Sequence, residues 1–285
     1  LNANGGAAHP GLLPYCHVSF ERVEEPDFAE YVATTLGSCD ANGGIGLKIG
    51  KSLGLGTRLD DGSLLRVDDP RLDVVFETAR TLGLPVLIHT GDPQAFFRPS
   101  TPDNERYAEL RAHPGWSFYG EGWPSWEELF AQYEARVARH PQTTFVGAHF
   151  GNAPEEPERV AAMLERYPNL YVETGARIPE IGRQAPDRMR SIFVRFRDRI
   201  LFGTDIQLSR SGTWALGSAG EDPDPPERIP IFYEAHWRYF EAADRGFPHP
   251  TPIQGDWTID GLDLPREVLE DLYHRNAERV FGVEL

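Results

Sequence analysis

The chain has 285 residues, 40% of them hydrophobic and 11% aromatic, a composition and length that suit a folded globular protein with a sizeable core. Its formal net charge of −16 argues against non-specific binding to nucleic acid or to an anionic membrane, so a small molecule is the expected partner and a homo-oligomer stays open. No run of about 18 apolar residues is present to span a membrane, no leader pattern is visible, and two cysteines, Cys16 and Cys39, cannot form a disulfide framework; two free thiols in a reducing, cytoplasmic setting are expected.

Short apolar runs rich in Val, Ile, Phe and Tyr read as strands. A weak one, Tyr15–Phe20, comes first, then Ile45–Ile49. A helical pattern over Arg71–Leu82 follows, with Leu72, Val75, Phe76 and Ala79 on one face and Gly83 as its stop. The strand Pro85–His89 leads into a long loop from Gly91 to Ser125, crowded with aromatics. Helix Trp126–Arg139, strand Thr144–His149, helix Glu155–Tyr167, strand Leu170–Glu173, helix Arg188–Arg197 and strand Ile200–Asp205 come next. A second long loop, Ile206–Pro230, precedes helices over Ile231–Arg245 and Pro265–Phe281. Strand and helix alternate throughout, which implies parallel strands joined by crossover helices. No linker divides the chain, so one α/β domain over residues 1–285 is expected, as a barrel or an open doubly wound sheet.

His89, His149 and Asp205 each stand as the first strongly polar residue at the C-terminal end of an apolar strand. In a (β/α)8 barrel that rim carries the active site. Two imidazoles and a carboxylate form a competent set for zinc or another divalent transition metal. Lys48 alternates with Leu47 and Ile49 and so points into the barrel if those two pack under helices. There it could bridge metals as a carbamate, pair with a substrate carboxylate, stabilise an anion, or form a structural ion pair with Asp205 or Glu173. Glu173 reaches the rim as an orienting or substrate-binding residue. Arg177, Arg98 and Arg106 are candidates for an anionic substrate, with exposed surface positions as the plain alternative. Trp116 and Trp123, from the first long loop, could close over substrate or anchor the loop by packing. His17 is a further rim candidate, while His113, His140, His236, His249 and His274 read as structural. No phosphate loop and no nucleophile elbow is present.

Together these stretches resemble the amidohydrolase superfamily, in the branch that holds aminocarboxymuconate semialdehyde decarboxylase-like enzymes. The resemblance is carried by Gly46–Ile49, Leu84–His89, Gly147–Gly151, Ile200–Asp205 and the ending from Leu264-Pro265 through Asn276–Phe281, and it covers about the whole chain. It implies that His89 ends the fifth barrel strand as a metal ligand. His149 ends the sixth as ligand or catalytic residue, and Asp205 ends the eighth as ligand and general base. The implied cofactor is a divalent metal, zinc or else manganese or iron. The implied chemistry is hydrolysis of a C–N or C–O bond by metal-activated water. Non-oxidative decarboxylation, or a barrel that binds without turnover, are the alternatives. The family's first-strand His-x-His pair has no match in these residues. Counting back from Asp205, Tyr15–Phe20 is the third strand, so strands three to eight are expected, with open edges that a segment such as Leu1–Pro14 could cover.

Overall fold

In the computed structural model, which describes residues 12–208, 212–218 and 224–284, the apolar runs assemble into a six-stranded parallel sheet in sequential order. Its strands are β1 (Tyr15–Cys16), β2 (Gly46–Ile49), β3 (Val86–Ile88), β4 (Phe145–Gly147), β5 (Leu170–Glu173) and β6 (Ile200–Leu201). Helix α1 (Phe28–Ala41) follows β1, and α2 (Asp73–Thr81) follows β2. After β3 come α3 (Tyr107–Ala112) and α4 (Trp126–Arg139); α5 (Pro157–Arg166) follows β4. After β5 come α6 (Ile178–Gly182) and α7 (Pro186–Arg195); α8 (Arg228–Glu241), α9 (Arg266–Glu270) and α10 (Asn276–Phe281) complete the chain after β6. This is the expected α/β class: consecutive parallel strands with crossover helices, in the manner of a TIM barrel.

The register sorts the side chains into two layers. Leu47, Val86, Phe145 and Leu170 form one row across β2 to β5, and all four are buried. The next row, Lys48, Leu87, Val146 and Tyr171, faces the opposite side. Lys48 and Leu87 of that row line the large cavity described below, so Lys48 does point inward. Local signals fix the helix starts. Ser125 and Glu128 form a reciprocal capping box on α4, and α5 and α7 each carry proline in the first turn.

The helix α1 is not visible in the sequence pattern. Its buried stripe is narrow, Phe28, Val32 and Leu36, and Thr34, Thr35, Gly37 and Ser38 are poor helix formers. It has a consequence for the cysteines. Cys16 shares a register row with Leu47 and so faces the helical layer, where Cys39 sits in the last turn of α1. The two form a disulfide, with Cα atoms 5.7 Å apart, which corrects the expectation of free thiols. Gly44 makes room for it: a Cβ there would lie 2.5 Å from the Cys39 sulfur and 2.6 Å from that of Cys16.

β1 and β6 are the two edges of the sheet. The C-terminal helical stretch reaches both. A π-helical turn, Asp271–Arg275, separates α9 from α10. Leu272 in that turn accepts a hydrogen bond from the Phe202 N–H, next to β6, at 2.9 Å. Asn276 donates from Nδ2 to the carbonyls of Arg197 and Ile200, both at 2.7 Å. Phe281 meets the β1 residue Tyr15 edge-on, with ring centroids 5.7 Å apart. The proposed cover Leu1–Pro14 lies mostly outside the described residues, as do 209–211 and 219–223 of the second long loop. No helix among the described residues is long and apolar enough to cross a membrane.

Candidate active site

The C-terminal ends of β4, β5 and β6 are built from unusual backbone. His149, Phe150, Asn152, Ala176 and Asp205 all hold positive φ, between 53° and 61°. Non-glycine residues there carry strain of about 1–3 kcal/mol each. Their concentration on one rim marks a place where side-chain direction outranks backbone comfort.

His89, His149, Lys48, Glu173, Arg177, Trp116 and Asp205 line one cavity of about 570 Å³. The His89 and His149 rings meet edge-on, with centroids 4.2 Å apart. The Gly91 carbonyl lies 2.7 Å from His89 Nε2. A carbonyl only accepts, so Nε2 carries the hydrogen and Nδ1 keeps its lone pair. By the same reasoning the Gly175 carbonyl, 2.8 Å from His149 Nδ1, leaves the lone pair on Nε2. Burial, chiefly, holds both imidazoles below their usual pKa, so both are neutral at pH 7.

Glu173 is structural to this rim as well as part of its lining. Its carboxylate accepts from the His149 and Gly175 N–H groups, each at 2.6 Å. Gly203 must be glycine for the carboxylate to sit there, since a Cβ would collide with Glu173 Oε2. Burial raises the Glu173 pKa, against the pull of the two N–H donors. Burial likewise lowers the Lys48 ammonium, against the attraction of Glu173 and Asp205.

Several lining residues carry no sequence signal. Lys51, just beyond β2, bonds Asp92 with Nζ to Oδ2 at 2.7 Å, and Asp92 Oδ1 stands 3.8 Å from His89 Nε2. Burial raises the Asp92 carboxyl, but His89 and Lys51 outweigh it and hold the group well below the carboxylate range. Lys51 also lies over the rings of Trp116 and Phe118, at 5.6 and 5.7 Å. Glu109, Phe96, Gln207 and Gln254 complete much of the wall. Asp92 stands three residues after His89, a spacing that meant nothing until the turn was known.

The remaining candidates separate. Trp116 is on the cavity wall, stacked on His113 with centroids 3.8 Å apart. Trp123 packs on the Phe118 edge and near Arg58, outside the lining. Arg98 bonds Gln94 at an exposed position. Arg106 is 1% exposed and pairs with Glu109 and Glu180, so it is neither a surface residue nor free for a ligand. His17 is exposed.

The donor chemistry fits a divalent cation in part. Each imidazole offers one free nitrogen, with the other fixed by a backbone carbonyl, the usual arrangement of metal-binding histidine. Asp205 shares the cavity. Among the described residues, however, no three His, Cys, Asp or Glu side chains cluster closely enough to hold a metal. The two imidazoles are brought together; the expected three-residue set is not.

Comparison with known proteins gives a family and a shared fold. Residues 25–283 match the family model described as amidohydrolase. No curated protein matches the sequence. Among solved structures, 2,6-dihydroxybenzoate decarboxylase in complex with 2,6-dihydroxybenzoate is similar at TM-score 0.54 and 18% identity, over 99% of this chain and 74% of that one. A dihydroxybenzoic acid decarboxylase from a Polaromonas species, with bound manganese and the inhibitor 2-nitroresorcinol, gives 0.55 and 14% over 98% and 72%. The 4-oxalomesaconate hydratase of Rhodopseudomonas palustris gives 0.54 and 16% over 97% and 68%. At such identities the likeness is one of fold.

Proposed function

Because the chain belongs to the amidohydrolase family of metal-dependent enzymes, we propose that it hydrolyses a C–N or C–O bond of a small anionic molecule in the cavity of His89, His149 and Asp205. The observation that carries this reading is the pair of facing neutral imidazoles, 4.2 Å apart, in one cavity with a carboxylate from a third strand end. His89 Nδ1 and His149 Nε2 would hold the cation, for which zinc is the proposed ion, with Asp205 on the wall of the same cavity. A bound divalent cation supplies Lewis acidity, which makes water nucleophilic near neutral pH. Asp205 accepts the proton that water gives up. Glu173 holds the His149 and Gly175 backbone in place, and Lys48 opposes negative charge as it develops on the substrate.

Decarboxylation is the second reading, and Lys48 favours it. Burial lowers its pKa, which makes the ammonium a better proton donor. In that reaction the bond from carbon to carboxylate breaks, CO2 leaves, and the carbon takes a proton.

Turnover in H2(18)O separates the two. We expect activity on a panel of N-acyl amino acids, lactones and aromatic acids to yield a product carrying solvent oxygen and no CO2. Release of CO2 with solvent hydrogen on carbon would replace hydrolysis by the second reading.

A further inference from the structure

The charged groups of the cavity differ in whether they have partners. Lys51 is held by Asp92 at 2.7 Å. Glu109 is held by Arg106 at 2.8 Å, and Arg106 pairs in addition with Glu180. Glu173 is occupied by two backbone N–H groups, and Lys48 faces Glu173 and Asp205. Arg177 stands apart. It is 6% exposed, lines the cavity, and makes no ion pair with any described residue. Its hydrogen bond runs from Nη1 to the carbonyl of its own neighbour Ala176, at 3.0 Å. That leaves the Nε–Nη2 edge of the guanidinium donating to nothing among the described residues.

A buried cation without a carboxylate partner is costly to desolvate. The backbone is nevertheless bent to put it there, since Ala176, one residue earlier, holds a φ of 57°. Glu155, an acid in electrostatic reach of Arg177, accepts from the Gln94 N–H at 3.1 Å and is pushed toward its neutral form by burial. The guanidinium edge matches a carboxylate in a two-bond fork. Phe96 and Trp116, stacked with centroids 6.2 Å apart, supply a flat apolar wall in the same cavity.

We propose that Arg177 is the anchor for the substrate's anionic group, a carboxylate gripped through the Nε–Nη2 edge, and thus a specificity-determining residue. This rests on the enzymatic reading of the cavity and deepens it. Lys51, already neutralised by Asp92, is not the anchor.

Calorimetric titration with benzoate tests this without any need for turnover. The unsubstituted protein is expected to bind benzoate, and Arg177→Gln to bind it about ten-fold or more weakly with an unchanged circular-dichroism spectrum. Arg177→Lys, which keeps the charge but loses the fork, should fall between, and it stands in if the Gln variant does not fold. Benzamide, the neutral isostere, should bind the unsubstituted protein and Arg177→Gln alike, and Lys51→Met should change benzoate affinity by less than about three-fold. Equal benzoate affinity in the unsubstituted protein and Arg177→Gln would overturn the assignment. So would no benzoate binding at all, or a larger loss from Lys51→Met. Inorganic phosphate bound as tightly as benzoate, with the same dependence on Arg177, would overturn the carboxylate specificity. A protein that binds benzoate through Arg177 yet hydrolyses nothing would keep the anchor and lose only the reaction.

Discussion

At the scale of single residues, what a side chain can do here depends on whether burial leaves it a partner. His236 on α8 illustrates the point away from the cavity. It is 1% exposed, donates from Nδ1 to the Phe232 carbonyl at 2.8 Å, and leaves Nε2 with no hydrogen-bond partner among the described residues. The rings of Phe202, Phe232 and Tyr233 surround it. Burial pushes its pKa down from 6.5 to about 4. Between those values the unfolded chain binds a proton that the folded one does not, so stability falls as pH falls, by on the order of 3 kcal/mol in all. His236→Phe should remove that dependence, and urea titrations at pH 5 and pH 7 would show a smaller difference than in the parent. An undiminished difference would place the proton uptake elsewhere. The same partner logic explains what the sequence shows of the cavity. His89, His149, Asp205 and Lys48 are legible because each occupies a defined position in, or at the end of, an apolar run of the sequence. Asp92, Lys51 and Glu109 are not, because their roles come from partners that only the folded loops bring near.

At the scale of elements, the sheet is legible and its surroundings less so. Leu170–Glu173 and Trp126–Arg139 keep the bounds their patterns predict, since an apolar run and a capped amphipathic stripe are local signals. β6 is shorter than Ile200–Asp205, because the Phe202 N–H bonds the Leu272 carbonyl instead of a strand and Asp205 holds positive φ. The first long loop holds α3, whose buried Arg106–Glu109 pair is a tertiary feature without apolar periodicity. Helix α1 and its link to β1 are the largest omission. The Cys16–Cys39 bond closes a separation of 23 residues, which corresponds to about 3 kcal/mol of stabilisation by loop closure. Adding dithiothreitol during urea unfolding should therefore lower the midpoint of the parent to that of Cys39→Ser, and leave the variant unmoved. A parent insensitive to reduction under denaturing conditions would mean that the bond contributes nothing.

At the scale of the whole molecule, six parallel strands lie in chain order, and the C-terminal ends of β2 to β6 lead into one cavity. The C-terminal stretch holds the two sheet edges through Leu272, Asn276 and Phe281. The alternating pattern made this architecture readable. The role of the π-helical turn was not readable, because a helix with one extra residue in a turn has almost the same periodicity as one without. The family match covers residues 25–283, and the fold is shared with decarboxylases and a hydratase. Turnover is proposed to take place in this cavity, with Asp205 as its base. The most direct test is the turnover number of Asp205→Asn on whichever panel substrate the parent accepts, with the fold checked by circular dichroism. Asn keeps the shape but cannot take a proton at neutral pH, so a fall of about 100-fold or more with an unchanged spectrum is expected. A folded Asp205→Asn protein that turns over at the parental rate would contradict it.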